Sequence, residues 1–320
     1  MMVSRKQGGD GNEPCEVWLD IFIVARIRRS SISRQGELKR VTPRPGRALD
    51  LQSPPLLRYN YPMLHLPNRL FRYFPTIGST MDAARSWAEE GAPDGAVVAA
   101  DEQTSGRGRL QRNWVTRPGS ALAFSLVLRP TPAERAHLAL LSPLGALAVC
   151  TALEQELSLV PQIKWPNDVL LARHKVCGIL AETSWQGEPL PAVILGIGLN
   201  VTTDSLPPPA ELLFPATCVE AHTAQPVDRN RLLAAILDQL DHWRRLLGSP
   251  AFQEAWQERL ALRGEMVEIQ SPAHTPLVGK LQGVDGDGNL QIELESGLVV
   301  RVAAGDVRLR PAGLEGAAHV

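Results

Sequence analysis

The chain has few cysteines and none of them is paired in sequence: Cys15, Cys150, Cys177 and Cys218 stand far apart in 320 residues. No CxxC pair and no His/Cys cluster has zinc-ligand spacing, so neither a disulfide framework nor a structural zinc site is indicated. Free thiols in a reducing cytosol are the simple expectation, and a cytoplasmic protein with it. Net charge is also nearly absent, since 33 Lys and Arg face 34 Asp and Glu. The molecule as a whole therefore has no electrostatic pull toward nucleic acid or an anionic membrane. Aromatic residues make up only 5%, which gives no support to a base-stacking surface for RNA. No apolar run approaches the roughly 20 residues that a membrane span needs. The short stretch 18–25 carries Asp20 and lacks a small-residue cleavage site, so it makes a poor signal peptide. There is no Walker A motif, and Gly196-x-Gly198 lacks the third glycine and the helix of a dinucleotide fingerprint.

What is present divides into three stretches. Residues 1–62 hold Arg26, Arg28, Arg29, Arg34, Arg40, Arg44 and Arg47 among scattered Ser, Pro and Gly, with one apolar patch. They read as a disordered extension or as translation from an upstream start ahead of Met63, with a functional basic arm as the alternative. No helix pair with a turn is legible there, so a helix-turn-helix reader is unsupported. Residues 63–261 read as folded α/β. Ser79 or Thr80 caps a helix over 81–90 that stops at Gly91. Strands are expected at 97–100, 121–128, 162–165, 176–183 and 192–201. A helical period over 135–157 is interrupted by Pro143, a kink or a break. Residues 206–210 are a proline-rich loop. Residues 231–247 form an amphipathic helix with Leu232, Leu233, Ile236, Leu240, Trp243 and Leu247 on one face, and 249–259 a second helix with Trp256 inward. Residues 262–320 switch to short strands at 267–269, 279–284, 290–294 and 299–302. The turns 285–289 and Ser296-Gly297 between them suit a small meander or barrel. The residue pattern by itself gives helices and strands over 63–261 and a small C-terminal β unit.

Three segments carry chemistry. Residues 103–114, Gln-Thr-Ser-Gly-Arg-Gly-Arg-Leu-Gln-Arg-Asn-Trp, set glycines beside arginines. Glycine lets the backbone approach a ligand while guanidinium forks donate to phosphate or carboxylate; a solvated basic turn or an RNA contact is the alternative. Lys164-Trp165-Pro166-Asn167-Asp168 ends a strand in a tight turn tipped by two short polar side chains, which a pure turn role would also explain. Lys175-Val176-Cys177-Gly178-Ile179-Leu180 opens a strand on a lysine, and at Gly178 a ligand could pack on bare backbone. Gly196 and Gly198 point to one face of an apolar strand and clear space above it.

Taken together and in this order, the Gly-Arg-Gly-Arg, Lys-Trp-Pro-Asn-Asp, Lys-x-x-Gly-Ile-Leu and Gly-x-Gly-x-Asn segments resemble the biotin–protein ligase family, over about residues 74–310. The segment from Gly283-Val284-Asp285 to Ala304-Gly305-Asp306-Val307 looks like that family's SH3-like end domain. The resemblance implies an α+β fold, with a catalytic core of mixed β-sheet and packed helices over 63–261 and an SH3-like barrel over 262–320; because residues 1–62 do not read as a winged helix, the monofunctional type without a DNA-binding domain is expected. It implies ATP and biotin as substrates, Mg²⁺ arriving with ATP, and a biotin carboxyl carrier protein as partner. It leaves room for a homodimer and implies no nucleic acid or membrane partner. By the same resemblance Ser79, Thr80 and Gln103 would hydrogen-bond the ureido head of biotin, in company with Met81 and the loop residues Gly106, Gly108 and Arg109. Gly178, Gly196 and Gly198 would leave room for its rings. Arg107 and Lys175 would hold the biotin carboxylate against the α-phosphate, cancelling the repulsion of two anions. Arg109 and Arg112 would grip phosphates, Trp114 would pack on adenine, and Asn167 and Asn200 would offer amide hydrogen bonds. Asp168 would either contact magnesium or take the proton of the incoming lysine; no dedicated metal cage is expected. Two departures stand out: Gln111 occupies the position of a second glycine, where a positive φ is at issue, and Met81 replaces a common Asn.

Two other readings compete. A lipoate ligase or octanoyltransferase would need a long acyl slot, and the transferase a nucleophilic cysteine; Cys177 reads instead as a small buried strand residue. A ligase that is also a repressor would need a winged-helix domain that residues 1–62 do not suggest. Sequence leaves open the carrier, the oligomeric state and the translation of residues 1–62.

Overall fold

Residues 63–312 are described by a computed structural model, apart from 68, 115, 185–191, 209–213, 272–273 and 305–307. The reading of residues 1–62 therefore lies outside the described residues, as do part of the 206–210 loop and the Gly305-Asp306-Val307 end of the C-terminal motif.

The apolar runs assemble in chain order as β1 (Phe71–Ile77), α1 (Thr80–Glu89), β2 (Val97–Gln103), β3 (Ala121–Leu128), α2 (Leu141–Leu157), β4 (Gln162–Lys164), β5 (Asp168–Leu171), β6 (His174–Ser184), β7 (Ala192–Asn200), α3 (Arg229–Arg245) and α4 (Pro250–Glu258). The seven strands form one sheet in the order β1-β2-β3-β7-β6-β5-β4, in which β1 and β2 are parallel and the other neighbours antiparallel. Every residue of β3 is buried, because helices cover both faces of the sheet. On one face α1 lays Met81, Ala84, Trp87 and Ala88 against Val98, Val127 and Ile194. On the other, α2 and α3 close a larger core around Phe124, Leu147, Ile197 and Ile236. Such a sheet reads as continuous apolar runs rather than alternation, which is how β3 and β7 look in sequence.

Helix α2 is apolar nearly all round from Leu141 to Leu153, where all but Ser142 are buried, and only its last turn carries the polar Glu154, Gln155 and Glu156. The stretch Glu134–Leu157 holds an 18-residue window with a mean hydropathy of 1.8, long and apolar enough by composition to cross a membrane, against the expectation that no such run exists; 72% of that window is buried in the core. The break expected at Pro143 lies earlier. A 3-10 turn, Glu134–Leu140, contains His137 at φ −120°, and α2 starts only at Leu141. Pro143 then falls in the first helical turn, where an N–H would have no partner anyway. Two strands of this sheet were not anticipated, and neither was Arg308–Pro311 in the C-terminal sheet. In β1 Pro75 breaks the pattern, which a strand at the sheet edge tolerates. β5 lies hidden behind the turn 165–167, its Asp168 pairing with Lys164 across the hairpin.

The C-terminal residues form β8 (Met266–Ser271), β9 (His274–Val284), β10 (Leu290–Glu293), β11 (Val299–Val302) and β12 (Arg308–Pro311), an antiparallel sheet in the order β11-β10-β9-β8-β12. Among the described residues the two end strands do not pair, so the sheet is open where a closed barrel was expected. Its turn 285–289 is held by the Asp285 carboxylate, which accepts from the N–H groups of Asp287 at 3.0 Å and Asn289 at 2.9 Å. This sheet does not stand apart. Leu281, Val284, Leu290 and Ile292 belong to the same apolar core as α2 and α4, and the Trp165 indole N–H donates to the Gly288 carbonyl at 3.0 Å.

Candidate active site

A cavity of about 440 Å³ opens on the α1 face of the large sheet. Lys175 and Arg107, expected to share one pocket, both line it. So do Ser79, Thr80, Met81, Gln103, Gly108, Arg109, Arg112, Trp114, Asn167, Asp168, Gly178, Gly196, Gly198 and Asn200. Gly106 is the exception. Its missing Cβ would lie 2.6 Å from the Trp114 carbonyl, and the Trp114 N–H donates to the Gly106 carbonyl at 2.9 Å, so this glycine closes the neck of the loop.

One part of the wall is built of neutral, hydrogen-bonded side chains. Ser79 is the N-cap of α1 but makes no capping hydrogen bond. The Thr80 N–H and hydroxyl both donate to Gln103 Oε1, at 2.8 and 3.0 Å, and the Thr80 hydroxyl meets that of Ser125 at 2.9 Å. The Gln103 backbone N–H donates to the Thr116 hydroxyl at 2.5 Å. The Gln103 side chain is thus held with its amide N–H₂ free of these bonds, poised as a donor at the end of β2.

The glycines act differently from the expectation that they leave a hole for a ring. A Cβ on Gly198 would come within 2.4 Å of the Trp114 indole, and one on Gly196 within 2.7 Å of Met81 Sδ. Each bare stretch of β7 seats a side chain, and those side chains form the cavity wall. Gly178 makes room for Trp114 and for the ammonium of Lys175 in the same way, at 3.3 and 3.2 Å from its missing Cβ. The Trp114 indole N–H is buried there without a hydrogen-bond partner.

The charged part is built by the β4–β5 hairpin, β6 and the arginine loop. Lys175 Nζ lies 2.6 Å from Asp168 Oδ1, and Asp168 is the one carboxylate of the described cavity wall. Arg109 reaches from the loop to donate to Asn167 Oδ1 at 3.2 Å, while Asn167 Nδ2 donates to the Ile179 carbonyl at 2.8 Å. Asn200 Nδ2 donates to the Thr217 carbonyl at 3.0 Å. Both asparagine amides are therefore tied to backbone. Gln111 is not among the residues with positive φ; Leu110 takes that conformation at +57°, so the strain expected at the missing glycine sits one residue earlier.

Sequence reasoning left Lys164 and Arg310 without roles. Lys164 stands across the hairpin from Asp168 and over the Phe214 ring at 4.8 Å. Burial pushes its ammonium pKa down; Asp168 opposes this, and the neighbouring Lys175, Arg310 and Arg112 add to it. Arg310 is brought to the cavity by β12 with Leu309. The presence of Lys164 in the Lys-Trp-Pro-Asn-Asp motif was a usable signal; nothing local marked Arg310. Cys177 is fully buried and burial holds its thiol far above the ordinary range, so it cannot serve as a nucleophile. Among the described residues no three His, Cys, Asp or Glu side chains cluster as a metal site.

The model of the biotin/lipoate A/B protein ligase family matches residues 73–200, and that of the biotin protein ligase C-terminal domain matches 263–310. The bifunctional ligase/repressor BirA of Bacillus spizizenii is 32% identical over 246 residues, covering 74% of this chain and 73% of its own. The biotin–[acetyl-CoA-carboxylase] ligase of Mycobacterium tuberculosis is 32% identical over 238 residues, covering 72% and 85%. Among solved structures, the biotin protein ligase from Aquifex aeolicus in complex with biotin and ATP superposes with a TM-score of 0.67 at 29% identity, covering 76% of this chain and 99% of that one.

Proposed function

Because the chain belongs to the biotin protein ligase family and is an ATP-dependent biotin ligase, we propose that it makes biotinyl-5′-AMP and transfers the biotin to one lysine of a biotin carboxyl carrier protein. The observation that carries this reading is the division of a single cavity wall into a neutral, hydrogen-bonded part and a cation-rich part. That division suits a ligand with a neutral polar head and an anionic tail, brought against a polyphosphate. In this reading Ser79, Thr80 and Gln103 present donors and acceptors to the ureido group. A site so built rejects analogues that leave its buried polar groups unpaired. Met81, seated on Gly196, and Trp114, seated on Gly198 and taken here for the biotin rings instead of the adenine, form the apolar walls.

Lys175 holds the biotin carboxylate near the α-phosphate, and Lys164, Arg109, Arg112 and Arg310 take the remaining phosphate charge. Neutralisation in a site shielded from water counts for far more than it would in solution. The carboxylate oxygen attacks the α-phosphorus and pyrophosphate leaves. The carrier lysine then attacks the acyl carbon, AMP departs, and Asp168 is placed to receive the amine proton. A magnesium ion would come with the triphosphate and be held chiefly by its oxygens. Among the described residues of the cavity wall only Asp168 could add a protein carboxylate, and it already pairs with Lys175.

The C-terminal sheet is read as the family's SH3-like domain and residues 63–261 as the catalytic domain. Some relatives are named bifunctional ligase/repressor; we read this chain as a ligase without repressor activity, on the near-neutral charge and the absence of a legible helix-turn-helix in residues 1–62, and as cytoplasmic on its scattered cysteines. Protection of an operator-like fragment in footprinting with biotin and ATP present would overturn that part. Transfer to a carrier is tested by mass spectrometry after mixing the protein with ATP, biotin and a biotin carrier domain. The expected result is a gain of one biotin on one carrier lysine. An unmodified carrier, or modification by lipoate in preference to biotin, would overturn the reading.

A further inference from the structure

Arg107 borders the cavity, yet the protein itself engages all of its donors. An arginine side chain carries five N–H groups in a fixed fork. Here Nη1 donates to Asp82 Oδ2 at 2.8 Å and to Ser79 Oγ at 3.4 Å, Nη2 to Asp82 Oδ1 at 2.8 Å and Glu182 Oε2 at 3.2 Å, and Nε to Glu182 Oε1 at 3.4 Å. Glu182 also pairs with Arg85, so two guanidinium groups and two carboxylates make a neutral cluster. The hydrogen bonds to Asp82, with those to Glu182, raise the Arg107 pKa against the opposing effect of burial. A guanidinium in this state has no donor left for a substrate carboxylate and little uncompensated charge with which to attract one.

What Arg107 does have is a lever on the loop. It forms an antiparallel bridge with Asn113, and the adjacent Gly108 N–H donates to the Arg112 carbonyl at 2.7 Å. Both arms of the loop that carries Arg109, Arg112 and Trp114 are thereby fixed to residue 107. Asp82 lies on α1 and Glu182 on β6, so the guanidinium ties that loop to two elements that do not belong to it.

We propose that Arg107 is a strap rather than an anion clamp, and that Asp82 and Glu182 are positioning residues which, through it, hold the arginine loop shut over the cavity and retain the acyl-adenylate. The proposal rests on the ligase reading above and replaces the expectation that Arg107 neutralises the substrates. Opening the strap exposes a reactive mixed anhydride to water, whereas Lys175, Lys164 and Arg310, which lie outside the loop, stay in place to form it. Of the two carboxylates Asp82 is the more exposed, 59% against 30% for Glu182, so the Asp82 half is the one that salt weakens first.

The test uses the full chain with biotin and ATP and no carrier. Two quantities are read: the single-turnover rate of adenylate formation at saturating substrates, and the rate at which adenylate escapes into the filtrate. Asp82→Asn and Glu182→Gln should each speed escape about tenfold, the size of coupling expected for one well-formed contact, with formation little changed. Asp82→Glu should restore retention. Added salt should speed escape from the wild type and leave Asp82→Asn unmoved. Retention by Asp82→Asn equal to wild type would overturn the strap. So would tighter biotin binding, which would mean that the acids compete with substrate for Arg107, or a fall in formation that parallels the leak. A wild type that forms no adenylate at all would sink the ligase reading, and the strap with it.

Discussion

At the scale of single residues, the two glycines of β7 differ in a way that a Gly-x-Gly pattern does not reveal. A Cβ at Gly196 would press on the thioether of Met81, the mobile end of a flexible side chain, whereas one at Gly198 would press on the rigid indole of Trp114. Gly196→Ala should therefore be accommodated by a rotamer change of Met81. Gly198→Ala must move Trp114 off the sheet, at an overpacking cost of about 1–3 kcal/mol. Much of that displacement falls on the cavity wall rather than on the core. The expected outcome by isothermal titration is a loss of biotin affinity of about tenfold or more for Gly198→Ala, each 1.4 kcal/mol being a factor of ten, and a clearly smaller loss for Gly196→Ala. Equal affinities in the two variants would show that Trp114 does not line the biotin site. The Met81 that replaces a commoner asparagine belongs to the same argument: it fills space above Gly196 with an apolar atom, so the polar contacts to a ligand head fall to Ser79, Thr80 and Gln103.

At the scale of elements, the support of the site runs through a buried ion pair. Arg229, at the start of α3, donates to Asp101 Oδ1 at 2.8 Å and to the Ala121 carbonyl at 3.3 Å, and the Tyr73 hydroxyl bonds Asp101 as well. Both charged side chains are almost fully buried, 6% and 1% exposed. The pair joins β1, β2, β3 and α3 two residues before Gln103. Removing one partner leaves a buried charge without compensation, so Arg229→Met should destabilise the fold by about 3–5 kcal/mol. The double variant Arg229→Met/Asp101→Asn should recover part of that loss, as read from urea midpoints. A single variant as stable as wild type would mean that the pair is solvated. This contact was not legible in the sequence, because its partners lie 128 residues apart. The elements themselves mostly were: β3 and β7 announce themselves as unbroken apolar runs, and Ser249 before Pro250 marks the start of α4 with a side-chain cap. β1 was lost to Pro75, β5 to its brevity, and the true break before α2 to a proline that a first helical turn accepts. The site shows the same division. Its motif residues could be found because each is local, whereas the clasp around Arg107 depends on Asp82 and Glu182, 25 and 75 residues away.

At the scale of the whole molecule, the C-terminal sheet is a structural part of the site. It shares its core with α2 and α4, it accepts the Trp165 indole hydrogen bond at Gly288, and through β12 it sets Arg310 in the cavity wall near Lys164. Two consequences can be read together in one thermal scan. The continuous core should make the described parts unfold in one transition, with calorimetric and van't Hoff enthalpies in agreement. ATP, which in the proposed reading is bound by groups from both parts, should raise that single transition as one. At a hundred times its dissociation constant a ligand stabilises the native state by about 2.7 kcal/mol, and a tenfold loss of affinity at the same concentration leaves about 1.4 kcal/mol. Arg310→Ala should thus keep roughly half of the ATP-induced rise in melting temperature while the shift produced by biotin alone stays close to that of the wild type. Two resolved transitions would divide the molecule into independent units. An undiminished ATP shift in Arg310→Ala would place that arginine outside the nucleotide's reach, and the C-terminal sheet would then support the cavity only through Trp165 and the shared core.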